Sequence, residues 1–275
     1  MSSRLNGTNN CNRLYDDLAW IFPIITPLEH YLEETELFCN ILHEHSKIPL
    51  QTILHLGYGG GHNDFVFKKC FQTTGIDKSA AMLALARKLN PEVKYICADM
   101  RTFRLDHLFD AIVAVDSIAY LTTEEDLQKM FTTVFSHLNT GGVFMFIVED
   151  EYENFKQNNT TSYSTFKGNI EITFIDNRYD PDPADTSYES TFIYLIRRNG
   201  KLEIHTDQHI CGLFKSDSYT KLLNETGFEV NLMNYEPPKS AVESSGLAGY
   251  ARYPMFVCIK PQKGRASAQS RLPKD

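Results

Sequence analysis

Ile53-Leu54-His55-Leu56-Gly57-Tyr58-Gly59-Gly60-Gly61-His62 is the stretch that decides the fold. A short apolar run ends in a glycine turn, and a helix-like segment follows. Strand, glycine turn and helix make a cradle for a nucleoside-containing ligand, because only glycine lets backbone come that close. A dinucleotide fingerprint wants G-x-G-x-x-G, and its third glycine would fall at His62. The spacing here is G-x-G-x-G, which points to a cofactor without a pyrophosphate.

From about residue 51 to 150 the chain alternates strand and helix. The strand-like runs are Thr52-Leu56, Thr73-Ile76, Lys94-Ala98, Ala111-Val115 and Val143-Val148. Near-continuous apolar strands between helices read as a parallel sheet covered on both faces. Ser79 is the expected N-cap of one helix, and Asn90-Pro91 its stop. Thr122 with Glu125 reads as a capping box. Behind it Leu127, Met130, Phe131, Val134, Phe135 and Leu138 form a helical stripe that Gly141-Gly142 should end.

Upstream, Leu14 to His45 reads as one or two helices broken near Pro23 and Pro27. Downstream the pattern changes. Residues 151–214 are rich in Tyr, Thr, Asn and Asp, with alternating runs at Glu171-Ile175, Thr191-Ile196 and Leu202-His205. Asn199-Gly200 is a two-residue hairpin signal. Ser216 is the expected cap of a helix closed by Gly227, and Glu229-Leu232 with Met255-Ile259 the expected edge strands. The expected organisation is one domain over 1–275. It has a helical cap (1–50), a cofactor-binding core (51–150), an antiparallel β insertion as lid (151–214), a C-terminal helix with edge strands (215–262) and a disordered tail (263–275).

Composition excludes several classes. The 275 residues carry a net charge of -8 and have no Lys/Arg run long enough to track phosphates, so nucleic acid is not an expected partner. The six cysteines are scattered without a C-x-x-C pair, which fits reduced thiols in a cytoplasmic protein and no metal site. The N-terminus lacks a signal-peptide core, and the longest apolar runs are too short to span a membrane. The Asn6-Gly7-Thr8 triplet reads as chance.

Acidic residues follow successive strands. Asp77 lies about twenty residues beyond Gly57, where a carboxylate can accept both hydroxyls of a ribose. Asp99 follows the third strand; its side chain can take an adenine amino proton while the Met100 thioether covers the ring. Asp116 follows the fourth. Ligands of open α/β sheets sit at the carboxyl ends of strands, so all three converge with the glycine turn on one crevice. Each also has a plain alternative as a turn former or helix cap.

These residues carry a resemblance. The stretch from Ile53 to about Glu149 resembles the core of a class I S-adenosylmethionine-dependent methyltransferase. His55-Leu56-Gly57-Tyr58-Gly59-Gly60-Gly61 matches the first motif and Gly75-Ile76-Asp77-Lys78-Ser79-Ala80-Ala81-Met82 the segment after the second strand. Cys97-Ala98-Asp99-Met100-Arg101 matches the adenine-binding segment. Phe109-Asp110-Ala111-Ile112-Val113 and Leu138-Asn139-Thr140-Gly141-Gly142 match the later motifs. Leu14-Tyr15-Asp16 and Gly212-Leu213-Phe214 are similar to small-molecule N-methyltransferases of the amino-sugar and glycine types. The resemblance implies an α/β, Rossmann-like, seven-stranded mostly parallel sheet with helices on both faces and the last strand antiparallel. It implies S-adenosyl-L-methionine as cofactor and S-adenosyl-L-homocysteine as product. Gly57, Gly59 and Gly61 would meet its methionine part, Asp77 and Lys78 its ribose side, Asp99 and Met100 its adenine. The family usually has Asp or Glu where this chain has His55; Asp116 could share that residue's task at the amino-acid end.

The expected reaction is methyl transfer to a small-molecule amine or hydroxyl, by a monomer or homodimer. Tyr15, Tyr120 and His209 are the candidates for the acceptor side, with His209 able to accept a proton. A half-buried core aromatic is the alternative for each tyrosine, and a solvent-facing strand histidine for His209. Glu149, Asp150, Tyr152, Tyr163 and Tyr179 would line the lid. Three other readings remain: an aminopropyl transferase with Asp116 as its proton-abstracting acid, a non-catalytic interaction protein, and a nicotinamide oxidoreductase, disfavoured by His62.

Overall fold

The computed structural model describes residues 12–238 and 252–262. The tail expected from Lys263 and the Asn6-Gly7-Thr8 triplet lie outside them. Two 3-10 turns (Arg13–Tyr15, Ala19–Ile21) lead into a single-turn helix α1 (Phe22–Ile25) and then α2 (Glu29–His45). The core alternates β1 (Thr52–Leu56), α3 (Asp64–Cys70), β2 (Gln72–Asp77), α4 (Ala80–Leu89), β3 (Lys94–Cys97), β4 (Phe109–Ala114), α5 (Glu124–His137) and β5 (Leu138–Ile147). The insertion holds β6 (Asn159–Lys167), β7 (Ile170–Tyr179), β8 (Ser187–Arg198) and β9 (Lys201–Gly212). Helix α6 (Ser216–Thr226) and strands β10 (Glu229–Tyr235) and β11 (Tyr253–Ile259) follow.

The main sheet has seven strands in the order β10-β11-β5-β4-β1-β2-β3. Strand β11 pairs antiparallel with both neighbours, and the other pairings are parallel. Strand order reverses at β1, whose neighbours are β2 and β4, so a crevice opens at the carboxyl ends of β1 and β4. Alternation along the strands feeds two cores. Leu54, Ile112, Phe144 and Phe256 pack with α5 and α6. Ile53, Val113, Met145 and Val257 pack with α2 and α3 on the other face. The insertion is a separate antiparallel sheet in the order β6-β7-β8-β9. Its inner face (Ile172, Tyr194, Ile196) seals against Leu14, Leu18 and Ile21 of the N-terminal turns.

Several local expectations shift. The cap of α5 is Thr123, whose hydroxyl accepts from Asp126 N–H at 3.1 Å. The Thr122 carbonyl is taken by the Thr186 hydroxyl instead, so the capping pair sits one residue later than the spacing predicts. Gly141-Gly142 does not end α5. The helix stops at His137 and runs directly into β5, and Lys260 Nζ caps it by donating to the Phe135 and Leu138 carbonyls at 2.7 and 2.8 Å. Gly142 is needed inside β5, where an added Cβ would lie 2.6 Å from the Asp110 carbonyl oxygen. Ser216 does not cap α6; its hydroxyl donates to Glu151 Oε1 at 2.6 Å. Strand β6 went unread because it is a Ser/Thr-rich outer strand with little apolar pattern.

Phe146 shows how the frame is held. It is fully buried in β5, stacked on Phe256 at 4.7 Å and 5.7 Å from Phe131. Phe146→Ala is expected to cost about 3–5 kcal/mol, seen as a lower urea midpoint with an unchanged m-value.

Candidate active site

The glycine turn is pinned from both sides. Gly57 has φ +68°, and a Cβ there would lie 2.2 Å from Ser117 Cβ, so only glycine fits. Ser117 Oγ donates to the Leu56 carbonyl at 2.8 Å, fastening the end of β1 to the loop after β4. Asp77, at the end of β2, accepts Gly59 N–H at 3.0 Å on one oxygen and Ser79 N–H at 2.8 Å on the other. Ser79 caps α4 as expected, accepting from Met82 N–H, while its hydroxyl donates to the Tyr15 carbonyl. The N-terminal segment is thereby tied to the same strand end.

A cavity of about 940 Å³ opens over these loops, bordered by Gly57, Gly59, Asp77, Lys78, Asp99 and Met100 on one side. Size and position suit a ligand site at a sheet switch point. Gly61 is not on its wall; it packs below the loop against Tyr95, Asn90 and Ala86. Asp99 does not stand free. Arg101 grips its carboxylate through Nε and Nη2, at 2.6 Å for the shorter contact, and also reaches Asp126 at 2.8 Å. Those hydrogen bonds hold the Asp99 carboxyl below the usual range. Burial moves Asp77 the other way.

His55 faces away from the cavity. Its Nδ1 lies 2.8 Å from Asp64 Oδ1, and both side chains are buried beneath the turn. The carboxylate absent at position 55 is thus supplied from the first turn of α3.

The three acceptor-side candidates are linked in one chain. Tyr15 Oη and Tyr120 Oη are 2.8 Å apart, Tyr120 Oη lies 2.9 Å from His209 Nδ1, and His209 Nε2 lies 2.8 Å from Asp207 Oδ2. His209 is fully buried, so the solvent-facing alternative is overturned. It stands behind the wall, 4.2 Å from the Phe192 ring centroid, whereas Tyr15 and Tyr120 border the cavity. Asp207 was missed because alternation alone does not say which strand face closes on the N-terminal turns. Its carboxylate also accepts Leu14 N–H at 2.7 Å.

The far side of the cavity is acidic. Asp116, held at φ +58°, lies in hydrogen-bonding contact with Glu149, and Glu34 of α2 faces both. Tyr235 Oη donates to Glu34 Oε1 at 2.5 Å. Among the lid candidates, Glu149 and Tyr163 border the cavity. Asp150 is bound to Arg178 Nη1 at 2.7 Å. Tyr152, in a 3-10 turn, and Tyr179, at the last position of β7, are exposed instead. Glu34 and Arg178 were not singled out from sequence; nothing in a helical Glu or a strand Arg marks a contact across the fold.

Burial first, then Glu149, pushes the Glu34 carboxyl up to about 7. Burial and Glu34 push Asp116 up to about 6, and burial with Asp116 holds Glu149 well above the carboxylate range. A carboxyl with a raised pKa binds more protons folded than unfolded, so its stabilisation is present at low pH and lost as pH rises through that window. Glu34→Gln keeps an acceptor for Tyr235 and removes this slope. The variant is expected to gain on the wild type by on the order of 2 kcal/mol between pH 4.5 and pH 7, measured by denaturant titration across that range. Parallel pH profiles would refute the assignment.

Residues 53–142 match a family model described as a methyltransferase domain. Over 101 residues the chain is 38% identical to the dTDP-3-amino-3,4,6-trideoxy-alpha-D-glucopyranose N,N-dimethyltransferase of Streptomyces venezuelae, covering 36% of this chain and 43% of that protein. Its fold is similar to Streptomyces venezuelae DesVI, with a TM-score of 0.74 at 22% identity over 90% of this chain and 96% of that one. It is also similar to CalS10, an amino pentose methyltransferase from Micromonospora echinaspora, with a TM-score of 0.71 at 17% identity over 94% and 100%. Domain match, strand order and glycine turn agree: residues 53–142 carry a methyltransferase domain, and the chain is similar in fold to DesVI and to the amino pentose methyltransferase CalS10.

Proposed function

We propose that this enzyme N-methylates a small-molecule amine, with S-adenosylmethionine along the glycine turn and the acceptor between the Tyr15–Tyr120 pair and the acidic wall. The observation that carries the reading is the Tyr15–Tyr120–His209–Asp207 chain ending on the same cavity as the glycine turn. The fit to the cofactor rests on the cradle itself: Gly57 and Gly59 leave backbone bare at the cavity, with Asp77 at the next strand end for a ribose. Met100 and Ala98 supply an apolar border for the adenine, and Lys78 stands beside Asp77. Asp99, already held by Arg101, keeps a charged acceptor at that border. The cofactor supplies a methyl already activated on a sulfonium, so the protein's work is alignment and proton removal.

The polarity of the relay follows from its ends. Asp207 accepts only, so His209 Nε2 carries the hydrogen and Nδ1 presents its lone pair. Tyr120 therefore donates to His209, and Tyr15 donates to Tyr120. The Tyr15 oxygen is left as the outer acceptor. An ammonium at the wall passes one proton to Tyr15 as Tyr15 hands its own to Tyr120 and Tyr120 hands its own to His209 Nδ1, which leaves the neutral amine. The nitrogen lone pair freed in this way would be the nucleophile for the sulfonium methyl that the cofactor would supply. Burial raises both tyrosine pKa values, so the phenols shuttle the proton and do not keep the charge. Asp207 stabilises the resulting imidazolium. Among the described residues no helix is long and apolar enough to cross a membrane, and a cytoplasmic enzyme remains our reading.

Thermal shift tests the cofactor half. S-adenosylhomocysteine at a hundred times its Kd is expected to add about 2.7 kcal/mol, with no response to NAD. Asp99→Ala is expected to abolish that response with little change in the ligand-free melting point, and Gly59→Val to abolish it with a lowered one, because Gly59 sits at φ +54°. Unchanged affinity in both variants removes the assignment. For the relay, Tyr120→Phe is expected to lower kcat about 100-fold or more on an amine the wild type methylates, at nearly constant KM; an unchanged kcat takes the relay out of the chemistry.

A further inference from the structure

The acidic wall identifies the class of acceptor. Asp116 and Glu149 face each other inside the cavity. Among the described residues no N–H or O–H of a third residue donates to either, so their contact is with each other alone, although enclosed carboxylates are costly unless paired. Glu34 completes the cluster from α2, with only the Tyr235 hydroxyl as donor. The two cavity arginines are committed elsewhere, and Lys78, the lysine on the cavity border, stands by Asp77 and Asp99. Arg178, the nearest, holds Asp150 at 2.7 Å and Asp176 at 2.8 Å. Arg101, at the other end, holds Asp99 and Asp126. Three carboxyl groups thus meet in a cavity without a committed counter-charge.

The same wall is aromatic. Tyr31, Tyr163, Phe174 and Tyr235 border the cavity, and Tyr31 lies close enough to Asp116 and Glu34 to feel their charge. Rings beside unpaired carboxylates are the surroundings that bind an ammonium carried on an apolar body. They are the wrong surroundings for a phosphate. A nucleoside-diphosphate handle, as in the name of the Streptomyces relative, needs uncommitted cations or a run of backbone N–H groups. Both arginines bordering the cavity are already bidentate or bridging partners of carboxylates, and the charge of Lys78 falls on Asp77 and Asp99, not on the acidic wall.

We propose that the acceptor is a phosphate-free organic cation, a small amine whose ammonium group sits among Asp116, Glu149 and Glu34 beside Tyr31. This deepens the methyl-transfer reading above and rests on it. Binding as the cation lets the three carboxyls ionise together. The bound ammonium then gives one proton to the Tyr15 relay to expose its lone pair, so recognition and activation use opposite walls of the same cavity.

Calorimetry separates the two levels. S-adenosylhomocysteine is titrated first; if it fails to bind, the methyltransferase-site reading falls, and this proposal with it. The saturated protein is then titrated with phenethylamine, putrescine, phenethyl alcohol and thymidine diphosphate. At least one amine is expected to bind at neutral pH, about tenfold or more tighter than the alcohol, and thymidine diphosphate is expected to give no heat. The Glu34→Gln/Glu149→Gln double variant, checked for an unchanged S-adenosylhomocysteine affinity, is expected to lose about tenfold or more for that amine. If thymidine diphosphate binds and both amines do not, the nucleotide-linked class is the right one and the proposal is overturned. Equal affinity for amine and alcohol, or an amine affinity indifferent to the double variant, overturns it as well.

Discussion

Gly57 against Ser117 is the contact on which the rest depends. At 2.2 Å from a would-be Cβ to Ser117 Cβ, the loops after β1 and β4 are as close as backbone permits. The Ser117 hydroxyl holds them there by donating to Leu56. From that clamp the crevice acquires fixed edges. Asp77 ties the turn to β2 on one flank. On the other the chain must turn sharply after β4, which forces Asp116 to φ +58°. Such a conformation costs a non-glycine residue about 1 kcal/mol or more. Asp is among the few residues that tolerate it, and the turn throws its carboxylate into the cavity.

Much of this was legible because it is local. Strand, glycine turn and the acids at strand ends are sequence-adjacent features, and β1 to β5 lie within a few residues of their expected places. What was not legible depends on contacts between distant segments. His209 reads on its strand as an exposed residue, yet it is buried, because the N-terminal turns cover that face of the insertion. Its partner Asp207 is two residues away, but nothing in the alternation says that Leu14 N–H will cap it. Gly141-Gly142 carries the signature of a helix stop, yet serves the register of β4 and β5, where pairing shifts between Phe109 and Ala111. Lys260, the residue just after β11, does the capping, more than a hundred residues further along. The capping pair of α5 moved by one residue because a distant hydroxyl claimed the Thr122 carbonyl.

His55 illustrates how a departure in a motif can be resolved only in three dimensions. An acid is usual at that position in similar enzymes, and its loss raises the reading of a degenerate site. Asp64 returns a carboxylate to the same buried place from the next helix, in contact with the histidine that replaced the acid. A buried pair of this kind adds little net stability. It fixes orientation, and here it joins the first strand to the helix that carries the glycine turn forward.

The division between core and insertion explains why one enzyme fold can serve many acceptors. In the proposed placement, what would meet the cofactor comes from β1 to β4 and their loops, fixed by the Gly57–Ser117 clamp. Most of what faces the acceptor comes from elsewhere: Tyr15 from the N-terminal turns, Glu34 from α2, Tyr163 and Arg178 from the insertion, Tyr235 from β10. These pieces are joined by polar contacts across the fold, such as Tyr163 to the Ile25 carbonyl and Tyr235 to Glu34. A substitution among them can change the charge of the acceptor wall without moving the glycine turn. In that placement Asp116 and Tyr120 border both halves, because they follow β4. They are the positions where donor and acceptor geometry must agree, so changes of acceptor class should leave them last.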